Sequence, residues 1–133
     1  MKKRNTSVMY HFAQTPKLTH GDKRIIRTGD THTIPNEKFG GRVCLFGLHA
    51  SPTPHKAWFY VAGSILSMVK LHGKVVHDDW SPRRKSVATK RTYLKSVRLD
   101  PSQKEQLSIT YKNNNNDKFN RLAKKFLREN PAI

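Results

Sequence analysis

The clearest periodicity of apolar and polar positions lies near the end of the chain. In NDKFNRLAKKFLREN, Phe119, Leu122, Ala123, Phe126 and Leu127 fall at i, i+3, i+4, i+7 and i+8, one stripe of an amphipathic helix. Asn116 or Asp117 is its predicted cap and Pro131 its stop. Lys118, Arg121, Lys124, Lys125 and Arg128 fill the remaining faces. The preceding KNNNND reads as a loop, because asparagine side chains bond their own backbone and compete with regular structure. Asp100-Pro101 opens a further short helix over PSQKEQLSITY.

The middle of the chain changes period. RVCLFGLHA is a short apolar run rich in strand formers, bounded by Gly-Gly and Ser-Pro. Ser51 or Thr53 then caps a helix with Pro52 or Pro54 in its first turn; Ala57, Trp58 and Val61 have helical spacing and Gly63 ends it. SILSMVKL alternates as a strand, His72-Gly73 makes a turn, and KVVHDD returns as a second strand. For residues 82–99 the two periods compete: Val87, Ala88, Arg91 and Leu94 favour a helix, whereas Tyr93, Lys95, Val97 and Leu99 alternate. The reading is helix over 82–92 and strand over 93–99. In the first third, SVMYHFA and KRIIRTG read as strands and THTIPNEKFGGR as a loop.

These elements predict an α+β fold: a small, mostly antiparallel sheet packed against one or two helices, with a basic C-terminal amphipathic helix. The expected organisation is one α+β domain over residues 1–112, followed by the polar asparagine loop and basic helix of 113–133.

Charge changes the picture. The 133 residues carry 26 Lys and Arg against 9 Asp and Glu, a formal net charge of +17. Residues 43–79 hold three basic and two acidic residues, whereas 80–133 hold fourteen basic and four acidic. The apolar middle is therefore nearly neutral and the outer thirds carry the field. Such a balance self-repels unless a polyanion neutralises it, and nucleic acid is the usual polyanion. Three clusters supply the charge: Lys2, Lys3 and Arg4; then Arg83, Arg84, Lys85, Lys90, Arg91, Lys95 and Arg98; then Lys118 to Arg128. Trp80 precedes the second cluster and Tyr93 lies inside it; an exposed ring there would stack on an unpaired base, whereas a buried one belongs to the core. A basic helix face can also be simply solvated. No helix-turn-helix, zinc-finger spacing or RNA-recognition aromatic pair is present. Binding through phosphates without strong base readout is the expectation.

Other classes are narrowed by what is missing. Cys44 is the single cysteine, so neither an internal disulfide nor a cysteine-rich metal site is available; it reads as a small buried apolar residue. The histidines show no metal spacing, and no metal is expected. No glycine-rich phosphate loop or nucleophile elbow is found. No run approaches a membrane span and the N-terminus lacks a signal-peptide pattern, so a soluble, cytoplasmic protein without membrane contact is expected. His49, where a strand meets a turn, is either a structural group or a functional imidazole.

GLHASPTPHKAWFYVAGSILSMVKLHGKVVHDD with KSVATKRTYL, about residues 43–94, resembles a small uncharacterised domain of bacteriophage and prophage proteins that carries a GLHAS strand. More distantly, YHF at 10–12, GLHAS at 47–51, AWFY at 57–60 and SMVKLHG at 67–73 are similar in order to the ADP-ribosyltransferase fold. That second resemblance implies NAD as cofactor, His11 or His49 on the nicotinamide ribose and Tyr60 beside the ring. It also implies a late glutamate, for which Glu105 and Glu129 are the residues available. Three functions are thus carried forward. The first is a phage-type accessory protein that binds nucleic acid or a ribonucleoprotein and needs no cofactor. The second is an ADP-ribosyltransferase-like enzyme. The third is an inhibitor docking on an acidic groove of a nucleic-acid-handling host or bacterial complex.

Overall fold

The computed structural model describes residues 8–16, 25–36, 48–78 and 85–133. Its spine is a hairpin of two long strands, here numbered in chain order with their partners: β1 Met9–Ala13, β2 Thr31–Thr33, β3 Leu48–Ala50, β4 Ile65–Asp78 and β5 Lys85–Arg98. β4 pairs antiparallel with β5 from Ile65↔Arg98 to Asp78↔Lys85. β1 pairs with the other edge of β4, from Met9↔Val69 to Ala13↔Ile65. The far edge of β5 takes two short strands end to end, β3 opposite Ser86–Ala88 and β2 opposite Lys90–Thr92. Main-chain bonds of 2.8 and 2.9 Å between Tyr10 and Ser51 join the end of β3 to β1, so β1, β4, β5 and β3 form a closed circuit. Among the described residues the architecture is α+β: five antiparallel strands and three helices.

The helices begin where local chemistry starts them. Thr53 accepts from the Lys56 N–H and caps α1, Pro54–Tyr60, with Pro54 in the first turn. Asp100 and Gln103 form a reciprocal capping box at the start of α2, Pro101–Lys112. Asn115, one residue before the predicted position, caps α3, Asn116–Glu129. α3 buries Phe119, Ala123, Phe126 and Leu127, with Leu122 packed beside them, as its periodicity predicts.

One face of the sheet carries the helices. Tyr10, Phe12, Leu66, Val97 and Leu99 pack there against Ala57 and Trp58 of α1, Leu107 of α2 and the stripe of α3. Phe119 is the hub: its ring meets Phe12, Trp58, His55 and Tyr111 at centroid distances of 5.5–6.4 Å. Met9, Ala13, Ile65, Val69 and Tyr93 point to the opposite face, with Ile26 packed among them. Strand alternation places His11, between Tyr10 and Phe12, on that second face.

Five sequence expectations fail, each for a nonlocal reason. His72-Gly73 is a bulge inside β4, not a hairpin turn; register shifts between His72 and Val75, Gly73 has φ of 76°, and Thr89 Oγ1 accepts from the Lys74 N–H. The helix expected over 82–92 is strand from Lys85 onward, because β4 on one edge and β3 and β2 on the other take up its main-chain groups. KRIIRTG forms no strand over its described residues; the Thr28 and Gly29 N–H groups go to the carbonyls of Ile133 and Tyr93. THT, expected as loop, is β2, held by β5. Gly63 has a different role from the one expected: Val61 caps α1, and a Cβ at Gly63 would collide with the Ala13 carbonyl of β1. Cys44 and the predicted strand residues before Leu48 lie outside the described residues.

Candidate functional site

On the face opposite the helices, four strands bring together polar side chains that a core would ordinarily exclude. The centre is Arg91 of β5, 3% exposed. Its guanidinium donates from Nε and Nη2 to Tyr93 Oη at 2.9 and 2.7 Å, and from Nη1 to the His49 carbonyl at 2.8 Å. The charge therefore rests on neutral acceptors, and among the described residues no carboxylate pairs with it. Arginine cannot shed its proton to escape burial, so the positive charge stays.

Tyr93 relays the network. Its ring is fully buried and meets His32 of β2 edge to face at 4.8 Å. His32 Nε2 lies 3.1 Å from the Ile25 carbonyl, and its Nδ1 lies 3.0 Å from Tyr93 Oη. A carbonyl only accepts, so Nε2 carries the proton; in the neutral ring Nδ1 then accepts from the phenol. Tyr93 Oη thus receives two N–H bonds from Arg91 and passes its own proton towards His32.

His11 of β1 and His49 of β3 complete the cluster. Both residues keep part of their surface in contact with water, unlike Arg91, His32 and Tyr93. His11 Nδ1 is nonetheless sealed from solvent and has no hydrogen-bond partner. Burial, then electrostatic interaction with Arg91, His49 and His32, hold the His11 pKa well below the ordinary histidine value. Among the described residues no group of histidine, cysteine or carboxylate side chains is placed to hold a metal ion.

The structure therefore brings together two of the residues singled out for chemistry, His11 and His49, and joins them to Arg91, Tyr93 and His32. Tyr60 stands at the end of α1, with its ring 5.2 Å from that of Phe59 and Lys85 Nζ 4.4 Å above it. Arg91 was expected among the phosphate-binding residues of the surface; its burial removes it from that set, and the burial of Tyr93 removes that ring from base stacking.

The other expected phosphate-binding residues separate by position. Lys118, Arg121, Lys124, Lys125 and Arg128 are exposed along α3, with one ion pair among them, Lys125 to Glu129 at 3.9 Å. Lys95 Nζ donates to the Arg128 carbonyl at 3.4 Å, and Asn130 Nδ2 to the Arg98 carbonyl at 3.0 Å. These bonds set the C-terminal end of α3 against Lys95 and Arg98 of β5. Lys90 is exposed further along β5, opposite His72; burial, then Lys90 and Lys70, lower the His72 pKa. Lys2, Lys3, Arg4, Trp80, Arg83 and Arg84 lie outside the described residues. Among the described residues no helix is long and apolar enough to cross a membrane.

No protein-family model matches the sequence, and comparison with curated proteins and with solved structures likewise returned no match.

Proposed function

We propose that the protein binds nucleic acid, or a ribonucleoprotein, through phosphate contacts and without strong base readout. The observation that carries this reading is the continuity of the basic surface. Lys95 is distant in sequence from α3, yet its ammonium adjoins that helix's exposed cations through the bond to Arg128, and the bond from Asn130 to the Arg98 carbonyl holds the β5 main chain beside the same helix end. A mainly cationic exposed surface, on which α3 adds only Asp117 and the Lys125-paired Glu129 as carboxylates, attracts a polyanion and gains by releasing its counterions. Affinity for single- and double-stranded oligonucleotides, measured against salt, is the test. A steep loss with salt and little dependence on sequence are expected; salt-insensitive affinity, or no binding at about 50 mM salt, refutes the reading. Pull-down with and without nuclease separates it from docking on an acidic protein groove.

A second reading, an ADP-ribosyltransferase-like enzyme using NAD, is favoured by the convergence of His11 and His49. Glu105 and Glu129 do not support it: both are exposed on α2 and α3, helices that pack on the face away from His11. Labelled NAD incubated with lysate is the test, with His49→Ala expected to abolish transfer if His49 holds the ribose.

A further inference from the structure

We propose that Arg91 and His11 form a recessed binding site for a terminal phosphate group. The proposal rests on neither reading above, since it concerns the sheet face away from the helices and not the basic surface.

Three observations lead there. The first is the uncompensated charge. A buried ion without a counter-ion is costly, and such charges are normally paired or neutralised. Among the described residues Arg91 has neither remedy. The second is the inventory of donors. A guanidinium has five N–H groups, and Arg91 uses three. One hydrogen on Nη1 and one on Nη2 remain, a pair suited to two oxygens of one oxyanion. The third is the His11 Nδ1, buried and without a partner. A neutral imidazole protonated at Nδ1 supplies a further donor beside the same cation.

The class of ligand follows from shape and charge. Arg91 is covered almost completely, whereas His11 and His49 retain contact with water, so the histidines lie on the more exposed side of the cluster. A phosphodiester within a strand would have to carry its chain up to a guanidinium that is almost fully covered; a phosphate at the end of a molecule would not. A carboxylate is satisfied by the guanidinium fork alone, whereas a phosphate monoester offers a third oxygen to His11. Tyr93 and the His49 carbonyl hold the guanidinium plane, and His32 holds Tyr93. These are positioning groups. Among the described residues, the charged or titratable groups around His11 are Arg91 from β5, His49 from β3 and His32 from β2, with Tyr93 of β5 bonded to His32. An anion among them offsets the Arg91 charge that opposes protonation of the histidine.

The test uses the whole chain, with inorganic phosphate, 5′-AMP, adenosine and acetate as probes. Thermal unfolding is followed with each probe, and the imidazole resonances of the wild-type protein are followed by NMR. At a phosphate concentration about ten times Kd, the Tm should rise by roughly 3–5 °C, and the His11 resonances should shift with the same saturation curve. Inorganic phosphate and 5′-AMP should act and adenosine should not. A 5′-phosphorylated oligonucleotide compared with its 5′-hydroxyl form shows whether the group is taken from a polynucleotide end; preference for free phosphate or AMP supports the same site with a small-molecule source. Arg91→Lys keeps the charge and loses the fork, and should weaken phosphate binding at least tenfold. His11→Asn should weaken it less. Equal effects of acetate and phosphate, a folded Arg91→Lys that binds phosphate as the wild type does, or unmoved His11 resonances would each overturn the proposal. The wild-type NMR titration decides the matter even where a variant fails to fold.

Discussion

Replacing Arg121 and Arg128 of α3 with alanine tests the surface reading quantitatively. Both are exposed, two helical turns apart on one face. With Lys118, Lys124, Lys125 and Lys95, the patch offers at most six phosphate contacts. Six contacts correspond to a slope of log affinity against log salt of about −5.4 on double-stranded DNA and about −4.2 on a single strand. Removing two lowers the steepness by about 1.4–1.8 units. Between about 50 and 200 mM salt, a slope of −5.4 is a loss of roughly 1,800-fold in affinity, and a slope of −3.6 a loss of roughly 150-fold. The fold should tolerate the change, because surface substitutions away from special features usually stay within about 0.5 kcal/mol. Arg128 in the last helical turn adds a dipole contribution of about 0.3–1 kcal/mol. Fluorescence anisotropy with labelled oligonucleotides over a salt series reads the slope directly, and a thermal melt confirms folding. An unchanged slope in a folded double variant would place the binding charge elsewhere and refute the assignment of α3.

Other consequences concern stability. Phe119→Ala empties the hub shared by β1, α1, α2 and α3 and should cost about 3–5 kcal/mol, read as a lower urea midpoint; a loss below about 1 kcal/mol would mean that α3 is not integral to the core. Asp100→Ala removes the capping box and should cost about 1 kcal/mol; an unchanged denaturation midpoint would contradict that bond pattern. Acid should destabilise the fold through His11. Its folded pKa lies below its unfolded value, so the unfolded chain binds more protons and stability falls as pH drops from about 7 towards 5. One proton contributes at most about 1.4 kcal/mol per pH unit. His55 and His72 are shifted in the same direction. In His11→Asn the loss should be shallower, as a urea titration at several pH values would show; an identical pH dependence rules His11 out as the source.

Much of the helical layer can be read locally. α3 declares itself through the spacing of Phe119, Leu122, Ala123, Phe126 and Leu127, and α1 and α2 through Thr53-Pro54 and Asp100-Pro101. These signals act over one or two turns. The sheet is decided by partners far along the chain. Gly73 carries the same local signature in a turn and in a bulge, and only the continuation of β5 past Thr89 tells them apart. Residues 85–92 fit a helix until both edges are seen to be paired. The site divides in the same way. His49 stands out at the end of its strand and His11 through its resemblance-based role. Arg91 is one of seven basic residues between 83 and 98, and nothing in that run marks it as buried. The available sign is its alternation with Tyr93, legible once the segment is known to be a strand. His32 falls in a stretch that reads as loop, and becomes visible as part of the site through its bond to Tyr93.

The closed circuit of strands also bears on how the protein reaches its native state. The β4–β5 hairpin joins neighbours in sequence, but β1 reaches it across Met9↔Val69 and β2 across Thr31↔Thr92. Pairings with such long intervening loops are slow to form and place small domains in the millisecond-to-second range of folding. His11, His32 and His49 each arrive on one of these late strands, while Arg91 rides on the early hairpin. A nascent chain therefore keeps its guanidinium in water until the ring of strands shuts around it.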